Sequence, residues 1–516
     1  MSASTVLNNG EPLRSSAENI GPDDPRYGDL VRRGFNKRFE GRPDYVRLVG
    51  SADDVVDAVQ EAVRSGRRLA VRSGGHCLEG FVANPDVRAL IDMSPMTGVS
   101  WDPEMGAFAV EAGTTLGEMH RRMFMGWGVV LPVGQSPDIG IGGHACGSAF
   151  GWLHRQHGLA GDHLYAVEVV VVDEAKTARR VVATREADDP NRELWWAHTG
   201  GGGGNFGVVT RYWFRSHGVD GREAARALPR APGSVVTLRA EWKWADMSDR
   251  AFTTLLRNHG EWCERNSDAS SAYATMFGVL TAGTKAFGKI ELRGLSIDGD
   301  DAELQLDQFL SAVGAGVGVH SREMTRMSWL AFAVNPFPEF FAISPGGVSV
   351  SVARMKMKDA LLKRRLSDRQ AGVLYRALTA ADAPGGFIGL ATYGGRVNTV
   401  ASDATAASQR ESVIDSAYAV GWMDPADEAR SLAWVRELYG EVFAELGGVP
   451  APGAETEGAL ITHPDADLAD PAWNTSRVPW HWMYYLGNYG RLQQVKARWD
   501  PRNVFQHVLS VRTADR

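Results

Sequence analysis

The stretch VRSGGHCLEG, residues 71–80, sets two glycines in front of a histidine at the end of a short apolar strand. Glycine lets backbone N–H groups approach a ligand with no Cβ in the way. A histidine beside such a turn points to acid–base chemistry or to a bond with the ligand. Just upstream, SADDVVDAVQEAVRSG (51–66) is expected to be a helix. Ser51 caps it, and Asp53 and Asp54 suit its positive end. Val55, Ala58, Val59, Ala62 and Val63 share one face, and Gly66 ends it. RRLAVRS follows as a strand with Leu69 and Val71 turned inward. The alternation of helix, strand and glycine turn favours α/β or α+β architecture.

Further along, AFAVEAG (107–113) reads as a strand and TTLGEMHRRMF (114–124) as a helix. LYAVEVVVVD (164–173) and GVVTRYWF (207–214) are continuous apolar runs, as in strands covered on both faces. Near residue 217 the character changes. SVVTLRAEWKW (234–244) and VSVSVARMKMK (348–358) alternate apolar and polar residues, with helix-like segments between them. That pattern predicts a second domain with an antiparallel sheet flanked by helices, and so an α+β fold. From about 456 the chain returns to aromatic and glycine-containing turns, ending in RWDPRNVF (498–505).

A chain of 516 residues exceeds one compact core and predicts two or three domains. The 55 Lys and Arg against 62 Asp and Glu leave a formal charge of −7, which argues against nucleic acid as the main partner. Cys77, Cys146 and Cys263 form no disulfide framework and no zinc spacing. His154 and His157 stand three apart in WLHRQHG but have no acidic or cysteine partner at ligand spacing. A solvated or capping role is expected there, and no metal. No apolar run approaches a membrane span, and the N-terminal residues show neither an h-region nor twin arginines. A soluble, cytoplasmic protein is the expectation.

Three glycine-rich pieces recur: RSGGH (72–76), GQSPDIGIGGHACGSAFG (134–151) and TGGGGGNFGVV (199–209). One such loop says little; three beside predicted strands point to a large phosphorylated cofactor. There is no G-x-x-x-x-G-K-[ST], and GIGGHA (140–145) follows Ser-Pro-Asp rather than a strand, which weakens a Rossmann reading.

With these loops, the pieces FNKRFEGRPDYVRLVGS, AVRSGGHC, LWWAHTGGGGGNFGVVT, YGGRVNTV and KARWDPRNVF resemble the FAD-linked oxidases of the vanillyl-alcohol oxidase type, in the berberine-bridge-enzyme-like group. The resemblance covers nearly all of residues 35–513. It implies a two-part FAD domain, residues 35–216 completed by 456–516, and a substrate domain over 217–455 whose sheet covers the isoalloxazine ring. It also implies that His76 bonds through a ring nitrogen to the 8α carbon of FAD. The other implied FAD contacts lie in the same loops. Arg72, Ser73, Gly74, Gly75 and Cys77 come from the first loop, and Ser136, Pro137, Asp138, Ile139, Gly140, Gly143, His144 and Gly147 from the second. Gly204, Asn205, Gly207 and Val209 come from the third, and Tyr485 and Asn488 from HWMYYLGNYGRL (481–492).

Three departures from the family pattern matter. Ser136 stands where many relatives place a second flavin-linking cysteine. A serine oxygen cannot form that thioether, so attachment through His76 alone is expected, and Cys146 reads as a small buried residue. Ile139 occupies a position that resembles a gate for dioxygen, where valine accompanies oxidase behaviour; the acceptor is dioxygen or another electron acceptor. In ITHPDADLADP, His463 replaces the tyrosine that takes the substrate's hydroxyl proton. An imidazole with an ordinary pKa near 6.5 suits that task at neutral pH better than a phenol near 10. Tyr393, in ATYGGRVN, matches a second tyrosine of the family site, and either it or His463 handles the proton.

The implied activity is two-electron oxidation of a polycyclic or glycosylated natural product by an FAD-dependent oxidoreductase of secondary metabolism. Two alternatives stand beside it: an intracellular oxidase of reduced quinone antibiotics, and a flavin-containing protein that sequesters the drug.

Overall fold

The computed structural model describes residues 18–297, 299, 301–336 and 353–513, and three β-sheets organise them. The expected strand over 348–358 therefore lies outside the described residues at 348–352.

The first sheet has four strands. Tyr45–Leu48, Ala89–Asp92 and Leu69–Arg72 run parallel, and Asn19–Ile20 adds an antiparallel edge. The helix Ala52–Arg64 connects two of the parallel strands. Ser51 Oγ accepts the Asp54 N–H at 3.1 Å, and Val55, Ala58, Val59 and Ala62 are buried, as the spacing of the apolar residues requires. The strand after it departs from expectation. Leu69 is buried, but Val71 is only half-buried, and Arg72 is buried instead. The register places Arg72 opposite Asp92, whose carboxylate accepts from its guanidinium at 2.9 and 2.6 Å. Paired in this way, a charged group can occupy a core position.

The second sheet is antiparallel, in the order Val99–Asp102, Ala107–Glu111, Val208–Phe214, Leu164–Val172, Ala178–Thr184. The helix Ala52–Arg64 packs against this sheet and the first. Val167, Val169, Val170 and Val171 are accordingly buried to either side of their strand.

The third sheet has seven antiparallel strands, all between Ser234 and Trp422. Helices Asp249–Asn266, Ala302–Val313, Asp368–Thr379 and Glu428–Val442 form a layer on one face. Phe309 lies on Gly278, and Tyr439 meets Tyr418 on that side. The other face carries Phe277, Val279, Leu361 and Ala391. These pack in one apolar cluster with Phe150, Trp152 and Tyr393. The sheet is thus closed by helices behind and by the glycine-rich region in front.

The C-terminal segment joins these parts. Leu361 N–H donates to Gly458 O, and Glu457 N–H to Leu361 O, both at 2.8 Å, so the segment runs beside the strand Arg354–Leu362. The helix Tyr489–Trp499 then packs on Arg192–Ala197. From it the fully buried Lys496 donates to Asn205 O, Asp500 Oδ2 and Phe505 O at 2.7, 2.6 and 2.5 Å. No helix among the described residues is long and apolar enough to cross a membrane.

Candidate active site

The three glycine loops meet in one place. A Cβ on Gly74 would overlap the Gly140 nitrogen, and one on Gly140 would overlap Ser73 Oγ. The first loop therefore lies backbone to backbone on the second. Across from them, a Cβ on Gly143 would meet nothing within 4 Å, and one on Gly203 would come only to 3.9 Å from Gly143 Cα. Gly143, Gly203 and Gly204 are exposed although their loops sit on buried structure. Gly75 (φ +79°) and Gly204 (φ +74°) turn their loops through a conformation that side chains resist. Gly147 abuts Thr462, and Gly202 abuts Ile461, so the C-terminal segment closes the cradle. Backbone donors, missing side chains and the orphaned, buried hydroxyls of Tyr393 and Thr462 fit a dinucleotide cofactor such as FAD.

His76 stacks on Phe35 with ring centroids 4.5 Å apart. Burial pulls its pKa down to about 4, so at neutral pH it is an uncharged imidazole with a free lone pair. Beside it a groove of about 600 Å³ is lined by Arg33, Lys37, Ser73, Arg122 and Asp138 among others. Arg72 turns away: its guanidinium is committed to Asp92 and to Leu30 O. Burial pushes the Cys77 thiol up to about 11. In the second loop, Pro137 O and Ile139 O each accept at 2.9 Å from Gly117 N–H and Leu116 N–H, which pins the turn holding Ser136 and the exposed Asp138. Ile139 is half-buried against the core. His144 Nε2 accepts the Gly134 N–H at 2.9 Å, and burial holds this ring neutral with a pKa of about 3. Cys146 is buried 2.8 Å from Tyr212 Oη.

In the third loop, Asn205 donates to Gly201 O and Gly202 O and accepts from Val511 N–H, folding the loop onto the C-terminus. Gly207 presses on Val169, and Val209 is buried in its strand, both behind the cradle. Tyr485 Oη donates to Gly201 O at 3.0 Å, and Asn488 donates to Ser402 O and Thr405 O.

The second half of the site is made of side chains. Phe150 lies between Tyr393 and His463, its ring centroid 5.5 Å from one and 6.2 Å from the other. Burial raises the Tyr393 phenol above its ordinary pKa, with Arg410 opposing, and its Oη has no partner. Burial lowers the His463 pKa, and 25% of its side chain stays open. His463 is therefore a neutral base, and Tyr393 a protonated donor, at neutral pH. His154 is a correction to the solvated reading. It is fully buried, its Nδ1 2.6 Å from Gly151 O, with its ring 5.0 Å from that of Tyr393. His157 is partly buried.

Behind His463 lies Asp359, whose Oδ1 is 3.2 Å from the imidazole Nδ1, and beside it Asp415. Neither aspartate was anticipated from the sequence. The available signal was period two: Asp359 shares its alternation with the apolar Met355, Met357 and Leu361 in RMKMKDALL, and Asp415 stands in the largely apolar IDSAYAVGW. On the helix-covered face of the same strand, Lys356 and Lys358 meet Glu79, Asp465 and Asp467, and Arg436 joins at Asp467. Three cations thus balance three carboxylates from four segments. Burial would raise Asp465 and Asp467, but the lysines and Arg436 hold both below the ordinary carboxylate range. This knot anchors the loop that carries His463.

Known proteins resemble this chain in sequence and fold. A family model described as FAD binding domain matches residues 43–177, and one described as berberine and berberine like matches 461–512. The chain is 52% identical over 493 residues to an aclacinomycin-N/aclacinomycin-A oxidase of Streptomyces galilaeus, covering 95% of this chain and 88% of that one. A crystal structure of aclacinomycin oxidoreductase superposes with a TM-score of 0.92 at 50% identity, covering 96% of this chain and 99% of that one. A glycopeptide hexose oxidase complexed with teicoplanin gives 0.90 at 47%, covering 96% and 98%. The chain belongs to the berberine-bridge-enzyme-like family of FAD-linked oxidases. It is an FAD-dependent oxidoreductase.

Proposed function

We propose that this protein oxidises a carbinol of a polycyclic or glycosylated natural product in secondary metabolism, with FAD attached through His76 alone. The observation that carries this reading is the neutral, partly open His463 and the unpartnered hydroxyl of Tyr393, both against Phe150 and next to the glycine cradle. Bound FAD supplies the acceptor for the two electrons that leave the carbinol carbon. Tyr393 donates a hydrogen bond to the substrate oxygen and orients it. His463 takes the hydroxyl proton at Nε2, the nitrogen turned away from Asp359. The apolar wall of Phe150, Trp152 and Phe277 excludes water from the reacting atoms.

The neutral His76 ring supports the single linkage, and Ser136 supplies no second one. Residues 35–216 and 456–516 form the FAD domain, and 217–455 the substrate domain. A sugar carbinol is supported by the relatives named for aclacinomycin and for a glycopeptide hexose. Two measurements test the reading. Mass spectrometry of the denatured, digested protein should find flavin on the His76 peptide only; flavin on no peptide overturns the linkage. Aclacinomycin A and teicoplanin, added anaerobically, should bleach the flavin at least with one of them. Binding without bleaching by these and by a panel of glycosylated polyketides would favour a sequestering protein instead.

A further inference from the structure

Asp359 and Asp415 face Tyr393 and His463 from the front of the seven-stranded sheet. The register sets Asp359 opposite Ala417 and Asp415 opposite Leu361, which makes the two acids diagonal neighbours on one face. The Asp359 side chain is fully buried and Asp415 is 4% exposed. No Lys or Arg side chain among the described residues is placed in an ion pair with either. Lys356 and Lys358 point to the opposite face and are occupied there. One ligand atom each from Asp359, Asp415 and His463 lies within 4.8 Å of the others. Two bare carboxylates so close in an apolar sheet would repel strongly, and a proton held between them removes the conflict.

The donors show which acid keeps the charge. Asp359 Oδ2 accepts the Leu460 N–H at 2.7 Å, and Oδ1 meets His463 Nδ1. Asp415 Oδ1 has no partner. Burial raises the Asp359 carboxyl to about 6, while burial and then Asp359 raise Asp415 well above its ordinary value. Of the other titratable groups around the trio, Asp465 raises Asp359 further by its charge, which Lys356 and Lys358 offset. Tyr393 is protonated, His144 is neutral, and Tyr418 and Tyr439 are protonated phenols behind the strands.

We propose that Asp415 holds the proton and Asp359 the charge, and that Asp359 thereby fixes His463 as the Nδ1–H tautomer, with the Nε2 lone pair left to accept the substrate's proton. The two acids are positioning residues: neither touches the reacting atoms. When the substrate O–H bond breaks and the N–H bond at Nε2 forms, the imidazolium finds its counter-charge already in place on Asp359. The opposite arrangement, with Asp359 protonated and donating to Nδ1, would put the ring hydrogen on Nε2 and abolish the base.

The inference rests on His463 being the base, and the test keeps the two apart. Holoenzyme labelled with [15N]histidine is examined by NMR without substrate, with H463F assigning the His463 signals. The expected result is a protonated Nδ1 and an unprotonated Nε2 in the wild type. D415N should keep that tautomer, because its amide donates to Asp359 as the carboxylic acid does. D359N should lose it, with the flavin absorbance showing that the fold is intact. An Nε2–H tautomer in the wild type, or a changed tautomer in D415N, overturns the proposal even if D359N fails to fold. Undiminished anaerobic bleaching in H463F would overturn the base assignment and this role for the acids together. Slow bleaching in H463F with the wrong tautomer overturns only the role of the acids.

Discussion

Between Arg72 and His76 and between Gly134 and Gly151, much of the surface proposed for the cofactor is backbone, and the residues come from two continuous stretches. On the reaction face it is side chains: Phe150, Tyr393, His463 and, behind it, Asp359 and Asp415 come from five separate places in the chain. Where its loops touch, at Gly74 and Gly140, the cradle tolerates no added atoms. The reaction face tolerates little change in its polar partners, because His463 leans on the buried carboxylate of Asp359, which has Asp415 as its neighbour. The two halves should therefore fail differently when altered.

The largest effect should come from the reaction face. H463F is expected to slow anaerobic flavin reduction by roughly 10²–10⁴-fold, the usual worth of a general base, while the bound flavin spectrum stays as in the wild type. As the proposed base, His463 acts when unprotonated. Burial lowers its pKa, so the reduction rate should hold at neutral pH and decline only below the ordinary histidine value of about 6.5. A decline beginning above that value would show that another group takes the proton.

Next comes the charge knot beneath the same loop. D465N leaves Lys356 and Lys358 short of a carboxylate and should cost about 3–5 kcal/mol in urea unfolding. The pH dependence has a definite sign. Asp465 and Asp467 are more acidic folded than unfolded, so their contribution is complete above the ordinary carboxylate value of about 4. It is lost as pH falls through their lowered values. A urea midpoint that stays level into that acid range would contradict the assignment.

The cradle gives a smaller energy but a different loss. G74A forces a methyl into the Gly140 backbone and should cost about 1–3 kcal/mol. Its distinguishing result is protein purified with little FAD, read from the flavin-to-protein absorbance ratio; full flavin content would mean that the loops can separate freely. The smallest effect belongs to I139V, which removes one methylene from a half-buried side chain and should cost about 0.5–1.5 kcal/mol. If this position gates the flavin face, reoxidation of the reduced enzyme by air should be faster. An unchanged rate would leave Ile139 a packing residue.

Much of the cradle was legible beforehand because its signals are local. A capped helix, a strand and a glycine turn are written in consecutive residues, and a helix such as Ala52–Arg64 needs only the period of its apolar residues. The misreadings lie where a partner from elsewhere decides. Arg72 is buried because Asp92, twenty residues on, neutralises it. His154 is buried rather than solvated because Phe277, in the seven-stranded sheet, and Tyr393, just past one of its strands, close over it.

By itself, the sequence determined the α+β character, the glycine loops, His76 at the end of the first, and a histidine at 463, where the family resemblance implies a tyrosine. Only the tertiary structure decided that His463 has a carboxylate behind it and that this carboxylate has an acid for a neighbour. Asp359 and Asp415 meet through the register of two antiparallel strands, and a slip of one residue would send either acid to the helix-covered face. Such a meeting is a property of the whole packed sheet, since each residue's own stretch of chain specifies its face only after its partner strand is in place.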